Sequence, residues 1–299
     1  MSDTIRGIVF ALTAAMVYGL APPFTRLAYN NGVPPLESTT WRTLILVVVF
    51  SLIVLSRRIS LRVPEGAGPT LAMMCVSTAM ISIGYLGSVQ FIPVALAVII
   101  FFTFPVCILL LSPLIEGRRL SLVRLLIGLT AFAGLVVAIG PGLTRLDPVG
   151  LCLAAMASCG ATMQFFSGRV VSRYMPPIAF GLIAHAALLP IVILVVLWLG
   201  NGSLVTVMKP AAIASTGWLA LAVVALTYSA GYFCHMMSVK LAPASIVAPF
   251  FNLEPITSIT AAVLFLSEAP ETNQLAGGGL VLLALVAAGI TSIRQQSQN

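Results

Sequence analysis

Apolar residues occur in ten long runs along the chain, and short polar links separate each run from the next. A helix needs about 20 apolar residues to cross the hydrocarbon core of a bilayer. The strands of an outer-membrane barrel would instead alternate apolar and polar positions. The pattern therefore predicts an all-α membrane protein with ten transmembrane helices, called spans 1 to 10, over residues 5–28, 35–56, 67–89, 94–113, 122–140, 149–170, 177–199, 213–239, 244–266 and 275–293.

The composition excludes a soluble or disordered protein. Hydrophobic residues make up 60% of the 299 positions and charged residues only 8%, whereas soluble domains carry about 25% charged residues. The formal charge of +7 comes from basic residues at the ends of apolar runs, which indicates membrane topology and not a nucleic-acid surface. The five cysteines have neither metal-ligand nor disulfide spacing, so we expect no metal and no cofactor.

The distribution of Lys and Arg predicts the orientation, because cytoplasmic loops carry an excess of these residues. With the N-terminus in the cytoplasm, ten spans return the C-terminus to the same side. Of the 15 basic residues, 11 then lie inside, namely Arg6, Arg57, Arg58, Arg62, Arg118, Arg119, Arg124, Arg169, Arg173, Lys240 and Arg294. We therefore expect a multi-pass protein of the cell membrane with both termini cytoplasmic.

An internal repeat relates the two halves of the chain. The segment 88–93 (SVQFIP) precedes Pro105, and the segment 238–243 (SVKLAP) precedes Pro255, each 150 positions further on. Each half therefore contains five spans. Because five is odd, the second half enters the membrane upside down, which is the inverted-repeat plan of secondary transporters.

Short motifs also recur in the same order in the two halves. The first half carries Tyr18-Gly19, Arg26, Arg42, Gly84-Tyr85, Pro105, Glu116 and Gly128, and the second carries Gly231-Tyr232, Leu253-Glu254-Pro255, Glu268 and Gly277. Their order resembles a ten-helix EamA-type transporter of the drug/metabolite transporter superfamily, over about residues 5–293. One departure is Tyr18-Gly19, where that family often has Trp-Gly.

The resemblance implies a first EamA repeat over residues 5–140, a second over 149–293 and a short cytoplasmic tail over 294–299. It also implies a central cavity between the two halves and alternating access to that cavity. Members that resemble this chain export amino acids and other small metabolites. A small-molecule substrate is therefore expected, with protons as a candidate coupling ion and a monomer as the working unit.

Glu254 is the sharpest candidate in the chain, because an ionisable residue inside a span is costly and usually faces a cavity or a partner. It lies in span 9 next to Pro255, which lacks a backbone donor, and Pro249 loosens the same helix. A broken helix at the bilayer midplane is the expected place for a binding site. Glu254 either carries a proton, faces a substrate amino group, or is neutralised and fixes helix packing. Asn252 faces the same cavity only if the helix unwinds.

Aromatic and polar side chains on four other spans are further binding candidates. Tyr228, Tyr232 and His235 share one stripe of span 8, which forms either a ligand wall or interhelical hydrogen bonds. Tyr85 ends a matching stripe on span 3, the symmetry mate of span 8. The remaining candidates of this kind are Tyr18 on span 1 and Gln164 on span 6.

Four residues are assigned a gating or structural role. Arg42 in span 2 either receives a substrate carboxylate or snorkels towards the headgroups, and the second interpretation is preferred. For His185 in span 7, a structural or gating role is likewise preferred over contact with the substrate. Pro105 and Pro255 mark the middle of spans 4 and 9.

Three classes of function compete. A secondary active or facilitative transporter, most simply a metabolite exporter, agrees with the repeats and the buried ionisable residues. An intramembrane enzyme or lipid-modifying protein is the alternative, although the chain has no zinc-protease, nucleophile-elbow or aspartate-rich metal motif, so no enzyme is expected. A channel would need a symmetric ring or filter, and none is visible.

Overall fold

The structure is a computed structural model that describes residues 2–117, 121–140, 147–199, 204–266 and 271–296. In these residues every regular element is a helix. The α-helices are α1 (Asp3–Asn30), α2 (Pro35–Ser56), α3 (Gly68–Ser88), α4 (Val94–Phe101), α5 (Phe104–Ile115), α6 (Leu122–Ile139), α7 (Pro148–Val171), α8 (Pro177–Leu199), α9 (Val205–Met208), α10 (Ser215–Leu241), α11 (Ala244–Val247), α12 (Leu253–Leu266) and α13 (Thr272–Gln296).

Capping side chains, prolines and glycines determine where several of the helices begin and end. Asp147 caps α7 by accepting the backbone N–H groups of Val149 and Gly150 at 2.8 and 3.2 Å. Pro148 then occupies the first turn, where its missing N–H would have no helical partner. At the other end of a helix, Gly140 follows α6 with a φ of 74°, a conformation that favours glycine.

Most of the described helical stretches are long and apolar enough to cross a membrane. Eight of them qualify: Asp3–Asn30, Glu37–Ser56, Gly68–Tyr85, Leu96–Ile115, Pro148–Val171, Pro177–Trp198, Ser215–Leu241 and Ala244–Leu266. The shorter apolar helices Leu122–Ala138 and Thr272–Ala288 lie where spans 5 and 10 are predicted. The protein is thus an all-helical, multi-pass membrane protein, and the count of ten crossings stays a prediction.

Two spans are interrupted, and both interruptions precede a proline. In span 4, residues 102–103 form a turn between α4 and α5, and Pro105 lies in the first turn of α5. In span 9, the 3-10 segment Ala248–Asn252 joins α11 to α12, and Pro255 lies in the first turn of α12. Each proline therefore begins a new helical segment, in keeping with its preference for the first turn.

Helices from the two halves pack against each other along much of their length. α1 packs against α10 and α12, α3 against α7, α2 against α8, and α6 against α13. Small residues allow the close crossings: a Cβ on Gly84 would lie 2.6 Å from the carbonyl oxygen of Leu153, and a Cβ on Gly160 would lie 3.0 Å from that of Ser77. The core formed in this way places α10 beside α1, α2, α7 and α8.

Candidate substrate-binding site

Arg42, Tyr228 and His185 form one connected group in the interior of the bundle. The guanidinium carbon of Arg42 lies 4.6 Å from the centre of the Tyr228 ring, within the range of a cation–π interaction. The Tyr228 hydroxyl is 3.0 Å from Nε2 of His185, and Nδ1 of His185 is 2.9 Å from the carbonyl oxygen of Gly181. Three helices, α2, α8 and α10, thus meet at this group.

Tyr18 and Glu254 approach the same group from α1 and α12. The ring centre of Tyr18 lies 6.0 Å from that of Tyr228, and its ring packs on Gly231 of α10. The next residue, Gly19, packs on the backbone of Glu254, since a Cβ there would lie 2.6 Å from the Glu254 carbonyl oxygen. The absence of a side chain at Gly19 therefore brings Glu254 to the level of Tyr18.

Arg42 and Glu254 are a basic and an acidic side chain that lie near each other in this interior. Among the described residues they form no ion pair of 4.0 Å or less with each other. In that part of the chain neither Arg42 nor the Glu254 carboxylate makes a hydrogen bond, and Nε of Arg42 is buried without a partner. The two side chains therefore share one interior without an ionic or hydrogen-bond contact to each other.

Five of the candidate residues are only half-buried, although they lie deep among the helices. They are Tyr18, Arg42, Tyr85, Tyr228 and Glu254. Tyr85 on α3 interacts electrostatically with both Arg42 and Glu254. Side chains that are surrounded by protein and still keep accessible surface are those expected to line an internal space.

His235, Tyr232 and Asn252 are fully buried behind that group. His235 packs between the rings of Phe165 and Phe251, at 4.2 and 4.7 Å between ring centres. Tyr232 lies 4.5 Å from the ring of His185. Nε2 of His235, the Tyr232 hydroxyl and Oδ1 of Asn252 have no hydrogen-bond partner among the described residues. Their assignment as substrate-binding residues stays a prediction.

Gln164 has a partner within the bundle. Its side-chain amide donates to the hydroxyl of Thr78 on α3 at 3.1 Å, and that hydroxyl donates to the Met74 carbonyl at 2.8 Å. This contact links α7 to α3 by an interhelical hydrogen bond. A role of Gln164 towards substrate stays a prediction.

Two carboxylates connect the halves at opposite ends of the bundle, and sequence analysis did not find these contacts. Glu37 at the start of α2 accepts hydrogen bonds from the backbone N–H and the hydroxyl of Thr206. Glu116, which follows α5, accepts the N–H of Ala244 at 2.7 Å and the hydroxyl of Ser245 at 2.5 Å. The signal for the second contact was present, because Pro243 marks a helix start whose free N–H groups attract a carboxylate.

A surface pocket lies away from these residues. It has a volume of about 500 Å³ and is formed by the link between α2 and α3 and by the turn after α7, with Arg62, Glu65 and Tyr174 among its lining residues. None of the candidate binding residues lines it. The interior group is the stronger candidate site, because its ionisable side chains lie deep inside the bundle without an ion-pair partner among the described residues.

The described helices define a multi-pass helical membrane protein with ionisable residues in its interior. The sequence profile described as the EamA-like transporter family matches residues 5–140 and 148–290. The chain belongs to this family of membrane transporters, and the resemblance drawn from the sequence motifs is confirmed.

Comparisons with individual proteins agree with this fold. One solved crystal structure, described only as "protein", superimposes with a TM-score of 0.80 over 95% of this chain and 98% of its own, at 18% sequence identity. At this identity the likeness shows the fold and not the substrate. Among curated proteins, the comparison finds no match.

Proposed function

We propose that the protein is a secondary active or facilitative transporter that exports a small metabolite, such as an amino acid, across the cell membrane. The observation that carries this proposal is the pair Arg42 and Glu254. These residues bring a basic and an acidic side chain from the two halves of the chain into one interior, where neither has an ion-pair or hydrogen-bond partner among the described residues. Charges inside spans are costly and generally belong to a transport pathway.

The packing of helices supports transport by alternating access of two inverted repeats. An inverted repeat pairs α1 with α7, α3 with α10, α2 with α8, and α6 with α13. When each helix is replaced by its counterpart in the other half, the contact of α1 with α10 becomes the contact of α7 with α3. Both contacts are present. The contacts of α2 with α8 and of α6 with α13 are each unchanged by the exchange. Such a pseudo-symmetric contact set allows two alternative arrangements of similar energy.

The carboxylate contacts at the two ends of the bundle fit this scheme, because each would close the protein at one face of the membrane. Glu37 and Thr206 lie at the predicted outer face, and Glu116 and Ser245 lie at the predicted cytoplasmic face. Each contact joins the first half to the second. Opening one face requires its contact to break while the other holds, so the present arrangement corresponds to a site closed at both ends.

The first experiment compares the solutes released by cells that express the protein with those released by cells that express Glu254→Gln. Glu65→Gln serves as the matched control, because Glu65 is exposed in the link between α2 and α3. We expect one or two solutes to be enriched in the medium with the original protein and with Glu65→Gln. Equal release by Glu254→Gln, at equal amounts in the membrane, would remove Glu254 from the site. No enrichment with the original protein would contradict export.

Proton coupling is tested in the same system once the solute is known. Glu254 is the candidate proton carrier, and the titratable or charged groups that face it are Arg42, Tyr18 and Tyr85. We expect Glu254→Gln to abolish the response of net transport to a pH gradient in proteoliposomes, while exchange of labelled solute at equilibrium continues. An unchanged response would exclude this role of Glu254.

A further inference from the structure

The surface pocket between the α2–α3 link and the turn after α7 lies where membrane-spanning helices end. The candidate spans Glu37–Ser56 and Pro148–Val171 both end just before it. Its lining residues fall within positions 60–65 and 174–176. Because the ends of spanning helices mark the boundary between the hydrocarbon core and water, the pocket lies at the level of the lipid headgroups.

The α2–α3 link reverses direction sharply at the end of α2. The N–H of Ile59 donates to the Val54 carbonyl at 2.9 Å, and the N–H of Arg58 donates to the next carbonyl, that of Leu55, at 3.3 Å. This pair of hydrogen bonds is the one that commonly ends a helix at glycine. Arg58 occupies the glycine position with a φ of 51°, which is strained for a residue with a side chain. An arginine is therefore kept at a position where the backbone alone favours glycine.

The walls of the pocket combine a cation with hydroxyl and apolar groups. Arg62 and Ser60 line it from the link, and the backbone N–H of Arg62 donates to the Ser60 hydroxyl at 3.2 Å. Tyr174 lines it from the turn after α7 and reaches towards the link, since a Cβ on Gly66 would lie 3.9 Å from its hydroxyl oxygen. Met175 lines the same pocket and is buried in the core. The volume of about 500 Å³ is sufficient for a phosphate-bearing headgroup.

Positive charge is concentrated around this pocket. Arg62 lines it, Arg57 and Arg58 precede it in the link, and Arg173 adjoins Tyr174. All four arginines are exposed, and among the described residues none of them forms an ion pair. One carboxylate, that of Glu65, lines the pocket, so the basic side chains outnumber the acidic ones by four to one. Such a cluster attracts an anion.

Exposed apolar side chains accompany the arginines. Leu61 and Val63 are exposed in the link itself, and Leu52 and Leu55 are exposed near the end of α2. Arginines that alternate with exposed apolar residues are typical of segments in the membrane interface, where the apolar groups meet acyl chains. A soluble anion would contact the arginines alone, whereas a phospholipid contacts both sets of side chains.

We propose that this pocket binds the phosphate of an anionic phospholipid. Arg62 donates to two phosphate oxygens in the two-pronged geometry that suits guanidinium and phosphate groups, and Arg58 and Arg173 add positive charge beside it. The Tyr174 ring lies at the headgroup level, which is the usual place of tyrosine in a membrane protein. The site is separate from the interior group of Arg42, and its occupancy does not depend on what the protein transports.

Lipid binding is measured by native mass spectrometry of the purified full-length protein in a neutral detergent. The probes are dioleoylphosphatidylglycerol, dioleoylphosphatidylcholine with the same acyl chains and no net charge, and glycerol 3-phosphate, which offers the phosphate without acyl chains. We expect phosphatidylglycerol to bind about tenfold more tightly than phosphatidylcholine, because it alone gains from the net positive charge. Glycerol 3-phosphate should bind much more weakly than phosphatidylglycerol, since it buries no apolar surface.

Substitutions locate the site on the protein. Arg62→Gln should weaken binding of phosphatidylglycerol about tenfold and leave that of phosphatidylcholine unchanged, because a charge-assisted contact is lost. Lys240→Gln is the matched control, since Lys240 is exposed in the last turn of α10, at the same predicted face, and does not line the pocket. Arg58→Gly should also weaken binding of phosphatidylglycerol, while the melting temperature stays equal or rises because the left-handed position then carries glycine.

Three results would overturn this proposal. The first is an affinity for phosphatidylglycerol no greater than that for phosphatidylcholine. The second is an equal effect of Arg62→Gln and Lys240→Gln, which would indicate diffuse surface charge in place of a site. The third is binding of glycerol 3-phosphate as tight as that of phosphatidylglycerol, which would assign the pocket to a soluble anion. The first and third need no variant, so they decide the question even where a substitution lowers the yield of folded protein.

Discussion

The crossing of α6 and α13 allows a stability prediction with a control on the same helix. A Cβ on Gly277 would overlap the backbone nitrogen of Ala138 and the carbonyl oxygen of Gly134, and it would lie 2.7 Å from Cα of Ala138. All three atoms belong to the backbone, so no side-chain rotation relieves the overlap. Two positions further on, a Cβ on Gly279 would meet nothing within 4 Å.

The expected magnitude follows from the difference between these two glycines. Replacing glycine by alanine inside a helix favours the folded state by about 1 kcal/mol at either position. At Gly277 the two helices must also move apart, and such overpacking costs about 1–3 kcal/mol. Because the propensity gain is common to both variants, Gly277→Ala should be less stable than Gly279→Ala by about 1–3 kcal/mol.

The assay is thermal or detergent-induced unfolding of the purified protein and of both variants under identical conditions. Gly278→Ala provides an intermediate case, because its Cβ would make an ordinary contact of 3.7 Å with Ile256. We expect Gly278→Ala and Gly279→Ala to equal or exceed the original protein, and Gly277→Ala to fall below it. Equal stability of Gly277→Ala and Gly279→Ala would refute the close approach of α6 and α13.

Three further predictions concern the site and the contact at the predicted cytoplasmic face. Gly19→Ala places a Cβ 2.6 Å from the Glu254 carbonyl oxygen and should lower both the melting temperature and transport, whereas normal transport would contradict this packing. Glu116→Gln weakens the cap on α11 and should destabilise the protein by about 0.5–2 kcal/mol in an unfolding titration, so an unchanged midpoint would argue against the cap. Tyr228→Phe removes the contact to His185, worth about 1 kcal/mol, and should raise the half-saturating solute concentration about fivefold with little loss of folded protein.

The class of protein and the positions of most helices follow from local properties of the chain. A run of about 20 apolar residues has no stable alternative to a helix in a bilayer, since every backbone group must be satisfied within the segment. The prolines of span 9 likewise indicated that this helix would be interrupted, whereas the interruption of span 4 before Pro105 was not predicted. The exact place of the interruption in span 9 was not predicted. The irregular segment lies before Pro255, because proline is readily accepted in the first turn of the helix that follows.

The candidate site was only partly predictable. The stripe of Tyr228, Tyr232 and His235 was derived from helical periodicity, but the three residues have different neighbours: Tyr228 meets Arg42, and His235 lies among aromatic rings. The helix that carries them packs against α1, α2, α7, α8 and α11, so adjacent positions of one stripe face different partners. Arg42 was assigned a gating or structural role in which its side chain snorkels towards the headgroups, whereas the structure stacks its guanidinium on the Tyr228 ring.

The apolar pattern, the motif order and the position of basic residues were sufficient to determine a multi-pass helical protein of the EamA-like family. Which ionisable side chains share the interior was decided by tertiary packing alone. Arg42, His185 and Glu254 come from helices far apart in the chain, and close crossings at glycines such as Gly19 set their separation. Composition and periodicity describe one helix at a time, whereas a distance between charges on different helices depends on how those helices pack against each other.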